Sequence, residues 1–345
     1  MPKIFVTGGA GFVGSAFVRL ALDALPADSE IINFDALTYA GNPDNLEGLD
    51  PARHHFVRGD ICDREAVRAA LAGGADAVVN FAAESHVDRS IASADEFLRT
   101  NILGTQVLLD AAREFKVRRF VQISTDEVMG SLAEDAEAFF TEATPFAPNS
   151  PYAASKAAAE HLVRAAHHTF GLDTVVTRCG NNYGPRQFPE KFLPLLLSNA
   201  LNDEPIPVYG DGRNVRDWIY VEDHCRAILL VLARGQSGAA YNIGARNERR
   251  NIEVAESVLD MLGKPRTLIR HVKDRPGHDR RYAIDPTLVE TELGWRPLET
   301  WESGLQKTVR WYADNDAWIR RARSGAYRDF YARQYGAEQS LGSKV

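Results

Sequence analysis

Cysteine is scarce: the 345 residues contain three, Cys62, Cys179 and Cys225. They are far apart and odd in number. That excludes a disulfide framework and points to reduced thiols in a reducing compartment. No cysteine or histidine spacing matches a metal-ligand set. His86, His224 and His278 are scattered, so no zinc is expected. An excess of positive charge is also missing. The net charge of -7 offers no nucleic-acid surface, although it leaves room for a local cationic pocket. No apolar run is long enough to cross a bilayer, and the N-terminus enters a strand-like segment at once with no signal peptide. A cytoplasmic protein without membrane attachment is expected. Repeats and low-complexity tracts are absent. What remains, 45% hydrophobic and 25% charged residues, is the composition of an ordinary globular enzyme, longer than one core usually fills.

The first 35 residues organise the rest. An apolar run, Ile4-Phe5-Val6, passes into Thr7-Gly8-Gly9-Ala10-Gly11-Phe12-Val13-Gly14. A helical segment over Ser15 to Ala24 follows, and a second apolar run ends at Asp35. Strand, glycine turn, helix, strand and acid in that order form the dinucleotide-binding fingerprint. Gly8 and Gly9 permit the tight turn, Gly11 the approach of a pyrophosphate, and Gly14 close packing of helix on strand. The helix N-terminus then presents N–H groups and its dipole to phosphate. Asp35 is placed to accept from adenosine ribose hydroxyls, and its charge would repel a 2′-phosphate, so NAD is expected rather than NADP. A glycine turn with a surface aspartate is the plain alternative, and the flanking strands and helix argue against it.

Further along, short strands alternate with helices. Strands are expected at His55-Phe56-Val57, Ala77 to Phe81, Phe120 to Ser124 and Asp173 to Thr177, and helices at Asp63 to Leu71, Glu96 to Glu114 and from Tyr152. The pattern predicts an α/β fold with a Rossmann-type doubly wound parallel sheet. Asp60, just past a strand end, is a candidate for the adenine. On the Glu96 to Glu114 helix, Leu98, Ile102, Thr105 and Leu109 are spaced to share a face. After Gly184 proline and glycine thicken. A smaller, discontinuous mixed α/β substrate-binding domain is expected there. The expected division gives residues 1–183 plus about 216–245 to the NAD-binding domain and about 184–215 plus 246–330 to the second. Trp218-Ile219-Tyr220-Val221 and Ala240-Tyr241-Asn242-Ile243, with a helix over Asp223 to Leu232 between them, read as more of the sheet domain. Residues 331–345 are expected to fray.

Tyr152 and Lys156 are four apart on a helix and share a face. An ammonium there is expected to pull the phenol down from its usual value of about 10, making a base for hydroxyl oxidation. A surface pair on an alanine-rich helix is the plain reading. Asp126 and Glu127 are more informative, because they follow a buried strand at the ligand edge of the sheet. Two adjacent carboxylates repel, so one is expected protonated and one ionised. With an oxidation base already in place, that acid and base suit elimination of a β-hydroxyl next to a new ketone. Arg186, Lys191, Arg213, Arg216, Arg275, Arg280 and Arg281 put cations in the second lobe, where an arginine fork suits a diphosphate. Arg213 and Arg281 read as ordinary surface residues.

These residues resemble a known family, the extended short-chain dehydrogenase/reductases, and within it the 4,6-dehydratases of dTDP-glucose. The resemblance spans nearly the whole chain. Its most specific segments are Thr125-Asp126-Glu127 and Arg275-Pro276-Gly277-His278-Asp279. It implies NAD as a tightly held cofactor and a homodimer paired through helices near Glu96 to Glu114 and Tyr152 to His168. By the same resemblance Tyr152, helped by Thr125 and Lys156, takes the sugar 4-hydroxyl proton. Glu127 removes the C5 proton and Asp126 protonates the leaving 6-hydroxyl. Gly8, Gly11, Phe12, Val13, Gly14, Asp35, Asp60, Ile61, Phe81, Ala83, Thr100 and Asn182, with Tyr152 and Lys156, would line the cofactor site. Ser85, Thr125, Asn181, Lys191, Pro207, Tyr209, Arg216, Asn251 and His278 would hold the nucleotide sugar.

This chain departs from the family at Met129, where tyrosine is common, and at Ala245-Arg246, where a second glycine is frequent. Little consequence is expected from either. The competing readings are a sugar-nucleotide 4-epimerase, a dehydratase for UDP-glucose or a GDP-hexose, and a non-catalytic NAD-binding regulator. Asp126 and Glu127 argue against the epimerase, and no catalytic group is missing for the regulator. Residue chemistry alone does not choose the nucleotide base.

Overall fold

The computed structural model describes residues 2–323; the tail expected to fray lies outside them. The chain opens with β1 (Lys3–Thr7), α1 (Phe12–Ala24), β2 (Glu30–Asp35), β3 (His54–Arg58), α2 (Arg64–Leu71) and β4 (Ala77–Asn80). Then α3 (Val87–Ala92) and a single turn, α4 (Asp95–Phe97), lead through a π-helical stretch, Leu98–Gly104, into α5 (Thr105–Glu114). β5 (Arg119–Thr125), α6 (Pro151–Phe170) and β6 (Thr174–Cys179) complete the regular alternation. There follow β7 (Asn181–Tyr183), α7 (Phe192–Leu201), β8 (Ile206–Tyr209), β9 (Val215–Tyr220), α8 (Val221–Arg234) and β10 (Ala240–Ile243). β11 (Glu248–Arg250), α9 (Asn251–Leu262) and β12 (Ile269–Val272) precede α10 (Thr287–Leu293), α11 (Trp301–Asp314) and α12 (Asp316–Ala322).

Seven strands form one parallel sheet in the order β10-β6-β5-β4-β1-β2-β3. Its inner strands are largely buried, because helices cover both faces, whereas the edge strand β3, His54-His55-Phe56-Val57-Arg58, is partly exposed. Phe17, Val18 and Ala21 of α1 pack with Ile228 and Val231 of α8 and Val289 of α10 on one side. Val67 of α2, Leu108 and Leu109 of α5 and Val163 of α6 cover the other. This is the Rossmann-type sheet that the alternation predicts. The strand order turns back between β1 and β4, and at such a point the loops splay apart and open a crevice at the carboxyl ends.

A smaller mixed part holds a three-stranded sheet, β11-β9-β7, and a two-stranded one, β12-β8. Its own core gathers Leu196 and Leu197 of α7, Val254 and Leu259 of α9, and Leu305 and Tyr312 of α11 around Tyr183, Trp218 and Trp301. The segment Trp218-Ile219-Tyr220 therefore does not extend the main sheet. It lies in β9, whose partners are β7 and β11. An apolar strand suits either sheet, and only tertiary pairing decides between them. Among the described residues no helix is long and apolar enough to cross a membrane.

Two helices differ from expectation. α1 begins at Phe12, three residues before the predicted start, because the helix grows directly from the glycine turn at Gly11. The predicted Glu96 to Glu114 helix is interrupted by the π stretch, which inserts an extra residue per turn and rotates one face against the next. Leu98 is consequently 46% exposed while Leu109 is buried, so the two do not share a face. At the second departure, Arg246 adopts φ 53°, a left-handed conformation that a glycine takes freely, and ion pairs to Asp285 and Glu290 hold it there.

Candidate active site

A cleft of about 370 Å³ runs along the carboxyl ends of β1, β2, β4, β5 and β6. Its first half is built by the glycine turn. Gly8 takes φ 70°, and a Cβ on it would lie 2.6 Å from the Ala82 nitrogen. A Cβ on Gly14 would lie 2.2 Å from the Gly8 oxygen, so only glycine lets α1 pack this close. No side chain caps α1 at Gly11, which leaves its first-turn N–H groups for a ligand. Asp35 closes the turn: its carboxylate accepts from the Ala10 nitrogen at 2.9 Å and the Leu37 nitrogen at 2.8 Å. Burial raises its pKa. Asp60 accepts from the Cys62 nitrogen at 2.9 Å and pairs with Arg99 at 3.2 Å. Phe12, Val13, Ile61, Phe81, Ala83 and Thr100 complete a slot with small and flat walls. The residues present fit a dinucleotide. Asn182 also lines the cleft, but its amide is engaged internally. It donates to the Gly180 oxygen at 3.1 Å and the Cys179 sulfur at 3.3 Å, and its Oδ1 meets His224 Nδ1 at 2.8 Å.

The second half joins β5 to α6. Ser150 caps α6 by accepting from the Ala153 nitrogen at 3.1 Å, and Pro151 preorganises the first turn, so Tyr152 and Lys156 face the end of β5. The Thr125 hydroxyl donates to Asp126 Oδ1 at 3.3 Å and is also a hydrogen-bond partner of the Tyr152 hydroxyl. Asp126 is 2% exposed, and its other oxygen has no partner. Burial, then the charge of Glu127, drives its carboxyl well above the usual range. Glu127 is less buried than Asp126. Burial raises it too, but the cations Arg275, Lys191 and Arg216 pull the other way. Both carboxyls are raised, Asp126 the more strongly, and the cations restrain only Glu127, so the pair is held unequal.

The expected effect of Lys156 on Tyr152 needs correction. Burial and the charge of Glu127 push the phenol well above its ordinary value. The Lys156 ammonium donates to the Ile123 oxygen at 2.5 Å, and burial lowers its own pKa to about 8. Four-residue spacing puts the two on one face, but a main-chain carbonyl claims the ammonium. In this arrangement the tyrosine rests as the neutral phenol.

Of the residues expected to hold the sugar nucleotide, Ser85, Thr125, Asn181 and Lys191 line the cleft. Lys191 donates to the Ser85 oxygen at 2.5 Å. Pro207, Tyr209, Arg216, Asn251 and His278 lie outside its lining and belong to the smaller part of the fold. Arg216 acts on Glu127, and Tyr209 and His278 lie beside the Asp88–Arg275 pair and Arg216. The Tyr209 hydroxyl donates to Asp88 at 2.9 Å, and its ring meets His278 edge-on at 5.9 Å. Arg216 stacks on Tyr282 at 4.2 Å and donates to the Asp279 oxygen. His278 sits 2.6 Å from Asp274, while burial and then Arg275 and Arg216 lower its pKa to about 4. Pro207 of β8 pairs with Arg270 of β12, and Asn251 bonds through its main chain to Asn214.

Sequence reasoning did not single out Glu84, Glu190, Cys179 or His224, all of which line the cleft. It also left Arg275 among the general cations. Arg275 pairs with Asp88 at 3.0 Å and acts on Glu127. Its place in the specific Arg-Pro-Gly-His-Asp segment was the available signal. Arg213 is exposed and pairs with Glu134, as a surface residue would, but Arg281 is buried: it pairs with Glu248 and donates to the Ala136 and Ala138 oxygens, because the loop after β5 folds over it. Met129 is buried with its sulfur 4.0 Å from Arg178 and is not among the residues that line the cleft.

A glycine-turn nucleotide cleft joined to a Tyr-x-x-x-Lys helix defines an extended short-chain dehydrogenase/reductase. The family model for GDP-mannose 4,6 dehydratase matches residues 5–308. A dTDP-glucose 4,6-dehydratase of Xanthomonas campestris is 51% identical, with 95% of this chain and 98% of that protein covered. The solved structure of such an enzyme from Streptomyces venezuelae, with NAD bound, superposes at a TM-score of 0.90 with 50% identity and covers 93% of this chain and 99% of that one. The NAD complex from Bacillus anthracis gives 0.86 with 46% identity over 93% of this chain and 100% of that one. The chain belongs to the dTDP-glucose 4,6-dehydratase family.

Proposed function

We infer that the protein dehydrates dTDP-glucose to dTDP-4-keto-6-deoxyglucose. The observation that carries this reading is the unequal pair at the end of β5. Asp126 is buried with a bare oxygen, beside a Glu127 that cations restrain. Simple oxidation and reduction at C4 needs no second acid and base, whereas elimination needs both.

With the cofactor in place Tyr152 would give up its proton to solvent, and the phenolate, which the Thr125 hydroxyl steadies by donating to it, takes the 4-hydroxyl proton. NAD, held by the Gly8 to Gly14 turn and Asp35, would supply the hydride acceptor for C4 and the donor for C6, and its oxidised ring would add the positive charge that favours the phenolate. Glu127 takes the C5 proton, which the new ketone makes acidic. Asp126 gives its proton to the 6-hydroxyl as the C6–O bond breaks, so water leaves. Glu127 then returns a proton to C5. Lys156 orients the site between Ile123 and the cofactor ribose. Arg216, Arg275 and Lys191 supply positive charge for a diphosphate. In this reading the seven-stranded part holds NAD and the smaller part holds the nucleotide sugar.

Two further readings go with this one. The chain pairs as a homodimer, which the exposed Leu98 and Leu103 beside α5 support, at 46% and 61% exposure. It works in a reducing cytoplasm, in keeping with its free cysteines. The test of function is incubation with dTDP-glucose. Loss of one water, with no net reduced cofactor and no NAD added, is the expected result. Conversion to an isomer of unchanged mass would make Asp126 and Glu127 bystanders.

A further inference from the structure

Three separate stretches of chain meet at one side of the cleft. The segment after β2 carries Tyr39, α3 carries Arg89, and the segment between β7 and α7 carries Phe188 and Glu190. The Tyr39 ring lies 4.0 Å under the Arg89 guanidinium and meets Phe188 edge-on at 5.8 Å. Its hydroxyl is hydrogen-bonded to the Glu190 carboxylate. Arg89 closes the ring of contacts by pairing with Glu190 at 3.1 Å. The Glu190 side chain is only 1% exposed, so its carboxylate is shielded from water, while Arg89 remains 25% exposed. His86 Nε2 adds a contact to the Glu190 main-chain oxygen at 3.3 Å.

The placement gives these contacts a meaning. Thr38 and Ala40, on either side of Tyr39, line the cleft, and so do Phe188 and Glu190. Asp35, four residues before Tyr39, ends the strand that holds the dinucleotide turn. Tyr39 therefore spans from the NAD-binding turn to the segment that leads into the second core. A bound dinucleotide could leave on that side only if the contacts opened.

We propose that Tyr39, Arg89, Phe188 and Glu190 form a clasp across the cleft that retains the dinucleotide through the catalytic cycle. The proposal rests on the dehydratase reading, in which hydride taken from C4 must be returned to C6 of the same sugar. Reduced cofactor that escapes after the first step leaves one 4-keto sugar nucleotide and one NADH, and the cycle stops. Tyr39 and Arg89 are positioning residues in this scheme, for they touch neither the sugar carbons nor the proton-transfer groups.

The test uses Tyr39→Phe and Tyr39→Ala in the full-length holoenzyme, with thermal unfolding as a check on the fold. NAD dissociation is measured first, without substrate, as bound NAD per chain against time after desalting. Tyr39→Phe loses one hydrogen bond to a charged group, so release about tenfold faster is expected. Tyr39→Ala also loses the cation–π and ring contacts, so about a hundredfold is expected. During turnover on dTDP-glucose, an NADH-consuming dehydrogenase added outside captures escaped cofactor. The variants are expected to feed it, and added NAD to restore their rate. Release at the wild-type rate from both variants would overturn the clasp. If Tyr39→Ala does not fold, Tyr39→Phe decides alone. A wild-type protein that holds NAD but leaves dTDP-glucose unchanged refutes the dehydratase reading instead, and the substrate-free release rates still judge the clasp.

Discussion

The Lys156 ammonium donates to the Ile123 main-chain oxygen at 2.5 Å, at a strand position two residues before Thr125. The cation thus braces the strand end that carries Thr125, Asp126 and Glu127. Burial lowers the amine to about 8 from a usual value of 10.5. An amine that binds its proton less well folded than unfolded destabilises the fold. The cost is full below about 8, fades as the pH rises, and is gone above 10.5. Lys156→Met is expected to raise the unfolding temperature at neutral pH, by a margin that shrinks toward alkaline pH, while the rate falls about 10²- to 10³-fold. A lower unfolding temperature at neutral pH would mean that the bond to Ile123 outweighs the burial of charge.

In the proposed mechanism Asp126 and Glu127 divide one elimination between them. Glu127→Gln keeps the oxidation machinery but removes the C5 base. In a single turnover with dTDP-glucose, reduced cofactor is expected to build up while water loss slows by about 10²- to 10⁴-fold. Asp126 must carry a proton to act, and burial raises its pKa. The rate of wild type should therefore fall as rising pH ionises Asp126, and that alkaline limb should be missing from Asp126→Asn. An unchanged limb in the variant would assign it to another group.

The glycine turn offers a matched pair of substitutions. Gly14→Ala places a methyl 2.2 Å from the Gly8 oxygen, in backbone that cannot yield without spoiling the phosphate turn. Loss of NAD binding by isothermal titration is expected. Gly73 has nothing within 4 Å of its Cβ direction, so Gly73→Ala should bind NAD like wild type. Equal binding by the two variants would remove the packing argument for α1.

The exposed leucines of the π stretch test the oligomer. Leu103 is 61% exposed beside α5, and placing a charge there costs little in a monomer but much in a packed helical interface. Leu103→Glu should elute as a monomer where wild type elutes as a dimer, with its secondary structure intact. Co-elution of the two would locate the pairing surface elsewhere.

Much of this site could be read from short stretches of sequence. The turn from Gly8 to Gly14, the acid at Asp35, the triplet Thr125-Asp126-Glu127 and the pair Tyr152/Lys156 each occupy a few contiguous residues. Their spacing encodes their geometry. Other features left no such trace. The partner of Lys156 is a main-chain carbonyl, which has no residue signature. Arg275 reaches Asp88 across 187 residues. The π stretch at Leu98–Gly104 has an ordinary helical composition, and it exposes Leu98 where helical spacing would bury it.

The sequence by itself determined the chemistry available. It carries a dinucleotide turn that accepts no Cβ, a tyrosine and lysine on one helical face, and two adjacent carboxyls at a strand end. Backbone sterics and helical spacing are local, so these follow from neighbours in the chain. The tertiary structure alone decided how those groups are charged. It buried Asp126 without a second partner, set three cations against Glu127, and kept Tyr152 a neutral phenol. Protonation depends on the local dielectric and on charges a few ångströms away, and folding brings those from distant parts of the chain.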